Sequence, residues 1–292
     1  MLKGISAAVP ADIETVASIH PDPDRFTKST GVYQRHVSKG QTTGDLCYAA
    51  SRQLMDSLLW DDVDILVMIT QTPDYIIPST GQVIKKRLGL NENCIVLDLN
   101  MGCAGWVYGM YIIERLVKYR GLLLVGDTLT RICDKNDMST YPLFGDAGTA
   151  TAVEKGMNHT FHLGSDWSDA INIKRGMKEP GASPYFNMDG SKVFMFAINK
   201  ATECIKKFTN NIESYYLHQA NMLVIQAIEK RFGITTYHSI SEYGNTSIAS
   251  LPLTMNLHPP KGVTFACGFG SGLSWGATVF KGDIVTPKIQ MI

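Results

Sequence analysis

The chain reads as a layered α/β protein made of two similar halves, residues 1–155 and 156–292. Three observations carry that reading. Apolar strand-like runs alternate with helix-like runs along the length, whereas a separate all-helical block and an all-strand block would mark another architecture. A Gly-rich turn feeding a strand of small residues occurs twice, at Phe144-Gly145-Asp146-Ala147-Gly148 running on to Val153 and at Gly268-Phe269-Gly270-Ser271-Gly272 running on to Phe280, as a loose internal duplication gives. At 292 residues the chain is also long enough to bury a large core.

Taken in order, Val63 to Thr70 predicts an apolar strand, and Gln82 to Leu88 a helix stopped at Gly89. Cys94 to Leu99 predicts a second strand, which turns through Gly102 into a helix opening at Cys103. Trp106, Val107, Tyr108, Met110, Tyr111, Ile112 and Ile113 wrap nearly all round that helix, so it should be buried on most sides, and Arg120-Gly121 should end it. Leu122 to Val125 is the next strand. In the second half, Glu213 to Leu217 predicts a strand, Met222 to Arg231 an amphipathic helix stopped by Gly233, and Val263 to Cys267 a strand entering the Gly-rich turn. The polar stretch from Lys174 to Gly190 is the one linker-like segment.

Composition excludes several classes. Lys plus Arg and Asp plus Glu balance at 27 each, so no overall field draws the chain to nucleic acid or to an anionic membrane. No apolar run approaches the roughly 20 residues of a bilayer span. The cysteines at 47, 94, 103, 133, 204 and 267 form no Cys-x-x-Cys pair, and no signal-like start precedes them, so we expect a reduced, cytoplasmic protein.

Cys103 is the candidate nucleophile, because a thiol at a helix N-terminus faces unpaired N–H groups and the positive end of the helix dipole, and both favour thiolate. A lone cysteine is as readily a small core residue. His218 follows a strand directly, where α/β sheets present catalytic groups, although a single histidine there also serves as a satisfied structural residue. Asn245 lies in Gly244-Asn245-Thr246-Ser247, where a turn or helix cap is the plain alternative. Together, a thiol nucleophile, a proton handler and a neutral donor for a developing oxyanion form a catalytic set.

Three stretches decide between these readings. Asn100 to Trp106 with its Cys-Ala-Gly, His218-Gln219-Ala220-Asn221, and Gly244-Asn245-Thr246-Ser247 resemble, in order and spacing, the active-site signatures of the β-ketoacyl-acyl-carrier-protein synthase III family in the thiolase superfamily. Thr30-Gly31-Val32, Phe144 to Gly148 and Gly268 to Ala277 extend the resemblance over nearly the whole chain. It implies a five-layered αβαβα thiolase fold of two pseudo-repeated halves, a homodimer, and decarboxylative Claisen condensation with no metal or cofactor. Cys103 would take an acyl group from a thioester, and His218 and Asn245 would hold the enolate oxygen left when a malonyl thioester loses carbon dioxide. Main-chain N–H groups of Cys103 and Ser271 would form the oxyanion hole for acyl transfer, Ser271 standing where the family usually has Gly.

The donor mouth departs from the family. Phe26 stands at the usual Trp, Ser29 and Met138 replace arginines that serve coenzyme A, and Leu223 replaces an Arg that faces a carrier protein. A coenzyme A phosphate set has few ways to bind without Arg or Lys, so the expected donor is an acyl-carrier protein, and the expected setting a specialised lipid, secondary-metabolite or surface-polysaccharide pathway. Phe26 can still stack on a base or pantetheine arm, and Lys230 and Arg231 can meet phosphopantetheine or an acidic carrier helix, unless they are an ordinary solvated helix end. Phe194 and Asn221 complete the expected substrate contacts, and Ile77 matches a position that reaches the partner's acyl tunnel. Two rival functions are acyl transfer to a hydroxyl or amine, and a non-catalytic partner subunit. Retention of Asn245 argues against the first, and the intact Cys, His and Asn against the second.

Overall fold

The computed structural model describes residues 1–156, 159–174, 176, 178–208, 211–282 and 284–292. Ten strands build its two main sheets: β1 Leu2–Val9, β2 Ile65–Ile69, β3 Ile95–Leu99, β4 Arg120–Asp127, β5 Ala147–Glu154, β6 Thr160–Ser165, β7 Ser214–Leu217, β8 Val263–Gly270, β9 Ser274–Lys281 and β10 Gln290–Met291. The larger sheet runs β10-β1-β5-β4-β2-β3 and the smaller β7-β8-β9-β6. Counted from each half's first strand, β1-β5-β4-β2 and β6-β9-β8-β7 share one order and one set of directions: antiparallel, antiparallel, then parallel. That shared topology is the internal duplication which the repeated Gly-rich turns signal.

The helices that matter are α1 Pro23–Thr30, α2 Thr43–Leu58, α3 Thr80–Leu88, α4 Gly105–Leu116, α5 Gly190–Lys207, α6 Met222–Phe232 and α7 Ser250–Leu257. Packing puts them in five αβαβα layers. α2 and α3 cover the outer face of the larger sheet, α4 and α7 lie between the sheets, and α5 and α6 cover the smaller sheet. Trp106, Met110 and Ile113 of α4 and Leu251 and Met255 of α7 meet Val67, Leu123, Tyr216 and Ala266 in the central core. Because α4 is apolar on most of its circumference it fits only between two sheets, as its sequence requires. The buried indole N–H of Trp106 donates to Thr151 Oγ1 at 3.0 Å, so the one polar atom of that side chain is satisfied.

Local chemistry sets the boundaries. Thr42 and Asp45 form a reciprocal capping box that starts α2, and Asn221 caps α6 by accepting from the Val224 N–H. Gly233 ends α6 at φ 63°, a left-handed turn that costs glycine nothing. Two expectations need correction. Cys103 stands just ahead of α4, whose cap is Ala104, and α4 stops at Leu116, so Arg120 and Gly121 open β4 instead of closing the helix. The polar, linker-like stretch 174–190, too short and mixed to part independent domains, ends in a small ribbon in which Asn187–Met188 pairs with Ile171–Asn172, while positions 175 and 177 lie outside the described residues.

The halves are tied together by the end of the chain. After β9 it crosses back to the larger sheet, where β10 pairs in parallel with β1 and the Val285 carbonyl accepts from the Ile5 N–H. Asn256, on α7, donates from Nδ2 to both Ile5 O and Pro287 O at 2.9 Å.

Candidate active site

Cys103 follows β3 through Asn100-Met101-Gly102 and stands at the seam of the two halves, against the closing turn of β8. The approach is tight. A Cβ on Gly102 would lie 2.0 Å from Ser271 Oγ, and one on Gly270 would lie 2.7 Å from Cys103 Sγ, so glycine at both is what lets the first half's thiol meet the second half's turn. The N–H groups of Cys103 and Ser271 both face the sulfur. This is the geometry expected of a main-chain oxyanion hole. The Ser271 side chain, which departs from the family pattern, is held by Gln71 Nε2 at 3.1 Å.

His218 comes directly off β7, its N–H bonded to Cys267 O at 2.9 Å and its ring edge-on to Phe269. Nδ1 lies 2.7 Å from Ser250 Oγ at the start of α7. That hydroxyl accepts from the Gln219 N–H at 3.4 Å, and with its own proton given to Nδ1 the neutral ring carries its proton on Nε2. Asn245 is fixed by main chain: its N–H donates to Leu143 O, and its carbonyl accepts from Gly145 N–H. Its Oδ1 takes the Ser247 N–H at 2.9 Å, and Nδ2 donates to Ala220 O at 3.3 Å. Cys103, His218, Asn245, Ser271, Phe194 and Asn221 all line one narrow cavity of about 60 Å³, walled by Phe186, Met188 and Val193. A second cavity of about 590 Å³ adjoins it and shares Gln71, Leu129, Ile171, Phe186 and Ser271 with it.

Electrostatics alters one expectation. Burial pushes the Cys103 thiol up to about 12; the Ser247 hydroxyl and the N–H groups of Cys103 and Ser271 pull it down, while the Asp127 charge pushes it further up. Cys103 therefore rests as a thiol and not as the thiolate that a helix terminus alone implies. Burial also drags His218 down to about 3, so the imidazole is neutral at physiological pH. Asp127, at the end of β4, is fully buried, and burial raises it to about 6 against the nearby Ser247 hydroxyl and the hydrogen bonds of Gln71, Thr70 and Thr72.

The remaining expected residues do not join the site within one chain. Phe26 is 7% exposed and packs with Val16, Val32, Leu129 and Tyr141, so it is a core residue and not an open stacking surface. Lys230 and Arg231 end α6 as exposed side chains away from the cavity walls. Ile77 is 86% exposed, beside Ile76 at 98%, with nothing of its own chain over it. Gln71, Ser247, Asp127 and Ser250 escape the sequence reading as functional residues. Ser247 belongs to the Gly-Asn-Thr-Ser signature, and Asp127 ends an apolar strand; those are the signals that point to them. Among the described residues, no three His, Cys, Asp or Glu side chains gather as a metal-binding group, and no helix is long and apolar enough to cross a membrane.

Comparison with known proteins agrees with this geometry. Residues 97–169 match the 3-oxoacyl-[acyl-carrier-protein] synthase III family model, and residues 207–282 match the model of its C-terminal part. A β-ketoacyl-[acyl-carrier-protein] synthase III of Coxiella burnetii is 31% identical over 96% of this chain and 98% of its own. Among solved structures, the 3-oxoacyl-(acyl-carrier protein) synthase of Burkholderia xenovorans LB400 superposes with a TM-score of 0.91 at 28% identity, covering 99% of this chain and 96% of that one. The synthase III of Pseudomonas aeruginosa PAO1 does so at 0.90 and 27%, covering 98% and 99%. With its thiolase fold and its thiol, imidazole and carboxamide in one cavity, the chain belongs to the 3-oxoacyl-[acyl-carrier-protein] synthase III family.

Proposed function

We propose that this enzyme joins an acyl thioester to a malonyl thioester by decarboxylative Claisen condensation through an acyl group carried on Cys103. The observation that carries the reading is the convergence of Cys103, His218 and Asn245 on one apolar cavity, with the N–H groups of Cys103 and Ser271 at the sulfur. Sulfur attacks the acyl carbonyl, whose oxygen those two N–H groups receive, and the donor thiol departs. The malonyl thioester then loses carbon dioxide, and its enolate oxygen is held by Nε2 of His218 and by Asn245. A neutral imidazole with its proton on Nε2 suits that task, since it donates without first having to be charged. The carbanion attacks the acyl-Cys103 carbonyl and frees the sulfur.

The same proposal covers the setting. The absence of arginine at Ser29 and Met138 favours loading from acyl-carrier protein in a specialised pathway of the cytoplasm. The exposed edge strand β3 and the uncovered Ile76 and Ile77 favour a homodimer. Intact-mass spectrometry with matched acyl thioesters on carrier protein and on coenzyme A tests the chemistry. We expect one adduct, lost in Cys103→Ser, forming faster from carrier protein, followed by carbon dioxide release on adding malonyl thioester. Adduct formation without carbon dioxide release would assign the protein to acyl transfer onto a hydroxyl or amine.

A further inference from the structure

Beneath the nucleophile lies a buried acid that the condensation steps leave unused. Oδ1 of Asp127 is saturated, accepting from the Gln71 N–H at 2.8 Å, Thr70 Oγ1 at 3.0 Å and Thr72 Oγ1 at 3.2 Å. Oδ2 is buried without a formed hydrogen bond. An orphaned carboxylate oxygen in the interior is costly and calls for an explanation. Between it and the nucleophile stands Ser247, whose Oγ is 3.9 Å from Cys103 Sγ, within reach of a sulfur hydrogen bond, and whose hydroxyl lies near enough to Asp127 to lower its pKa without a formed hydrogen bond between them. Ser247 is 1% exposed and sits at φ 51°, a left-handed backbone that disfavours side chains other than glycine, Asn and Asp. Its N–H is anchored on Asn245 Oδ1. A buried serine held in left-handed backbone between the thiol and the acid fits a functional role.

We infer that Ser247 and Asp127 form the proton relay that deprotonates Cys103 during acylation. This rests on the acyl-Cys103 reading and adds the path of its proton. As the sulfur forms its bond to the acyl carbon, the thiol proton passes to Ser247 Oγ, and the Ser247 proton passes to Asp127 Oδ2. When the tetrahedral intermediate collapses, the bond from the acyl carbon to the donor sulfur breaks. The relay runs backwards and gives the proton to the departing thiolate, so acyl thioester and Cys103 thiol become acyl-Cys103 and free donor thiol. No other reactant is needed. His218 is the weaker base for this step, because burial has already stripped it of proton affinity and Ser250 occupies its Nδ1. Asp127 lies close to the ordinary working range, and its neighbouring titratable groups are thiols, Cys103 and, on α2, Cys47, both pushed upward by its charge.

The test separates loading from decarboxylation. Single-turnover acylation is followed by quenched intact mass in the wild type, Asp127→Asn and Ser247→Gly; the second variant removes the hydroxyl and relieves the left-handed backbone, so it folds even if the first does not. Acylation should slow by about 100-fold in each, the low end for a lost proton-transfer group. In the wild type its rate should rise with pH as Asp127 ionises near 6, a limb that Asp127→Asn lacks. Carbon dioxide release by enzyme loaded through long incubation should fall far less. Wild-type acylation rates in a folded Ser247→Gly, or equal loss of both half-reactions, would overturn the relay while leaving the acyl-enzyme intact. A wild type that never forms an adduct on Cys103 would instead remove the acyl-enzyme reading and the relay together.

Discussion

On the proposed condensation Asn245, uncharged and locked by Ser247 N–H and Ala220 O, should act only on the enolate and not on acyl loading. Asn245→Ala should leave loading of Cys103 largely intact while lowering malonyl decarboxylation by about 100- to 1,000-fold, the scale of one lost oxyanion donor. Parallel loss of adduct formation would contradict it. Gly270 gives the converse case. A Cβ there meets Cys103 Sγ at 2.7 Å, so Gly270→Ala should abolish loading in a protein that still melts cooperatively. His218 sets a pH dependence of its own. Because burial lowers its folded-state value to about 3, the unfolded chain gains a proton between about pH 6.5 and 3 that the native state refuses. Its contribution therefore destabilises the fold progressively as pH falls through that window. Urea titrations at pH 7 and pH 4.5 should show a smaller loss on acidification in His218→Gln than in the wild type. Residue chemistry of this kind is only partly legible in sequence. Cys103, His218 and Asn245 stand in recognisable strings, whereas Asp127 gains its meaning from Ser247 and Cys103, which no local pattern joins to it.

At the scale of elements, β3 and β10 are the two edges of the larger sheet, and β3 is the longer. β2, which pairs with β3, and β4 beyond it are buried throughout or nearly so, yet Ile95 of β3 is 48% exposed and its Leu97 and Leu99 are only partly covered. With Ile76 and Ile77 close by in sequence and bare, a second copy is the natural cover. Ile77→Glu with Ile95→Lys should weaken self-association at least about tenfold, the scale of one interface anchor, as read by sedimentation velocity. A wild type that is monomeric at micromolar concentration would refute the dimer. Strand and helix positions were readable because periodicity and Gly stops act locally: Ile65–Ile69, Ser214–Leu217 and Met222–Phe232 fall within a few residues of their expected spans. The wall formed by Ile171, Phe186 and Met188 was not, because a polar, Gly- and Pro-containing stretch looks like a tether until a cavity is present for its few apolar residues to face. Phe26 misled for the same reason, since burial in a cluster of distant residues leaves no trace in its own helix.

For the molecule as a whole, the two sheets repeat one topology, but the seam between them is closed by particular bonds. Asn256→Ala should cost about 1–3 kcal/mol in urea unfolding, because the buried Ile5 O and the half-buried Pro287 O lose their common donor. An unchanged midpoint would show that water or backbone shifts replace it. The duplication was legible from two Gly-rich turns. The crossing of residues 285–291 back to β1 was not, since so short a strand has no periodicity to read. That seam also governs when the enzyme becomes reactive. Cys103 leaves the ribosome early, while His218, Asn245 and the Gly270-Ser271 turn follow much later, and synthesis at about 5–20 residues per second separates them by many seconds. Until the last strands arrive, the thiol lacks the Ser271 N–H, His218, Asn245 and the cavity wall at Phe194. On the proposed chemistry a half-made chain therefore has no means of running the condensation, and turnover waits on the last strands of the second half.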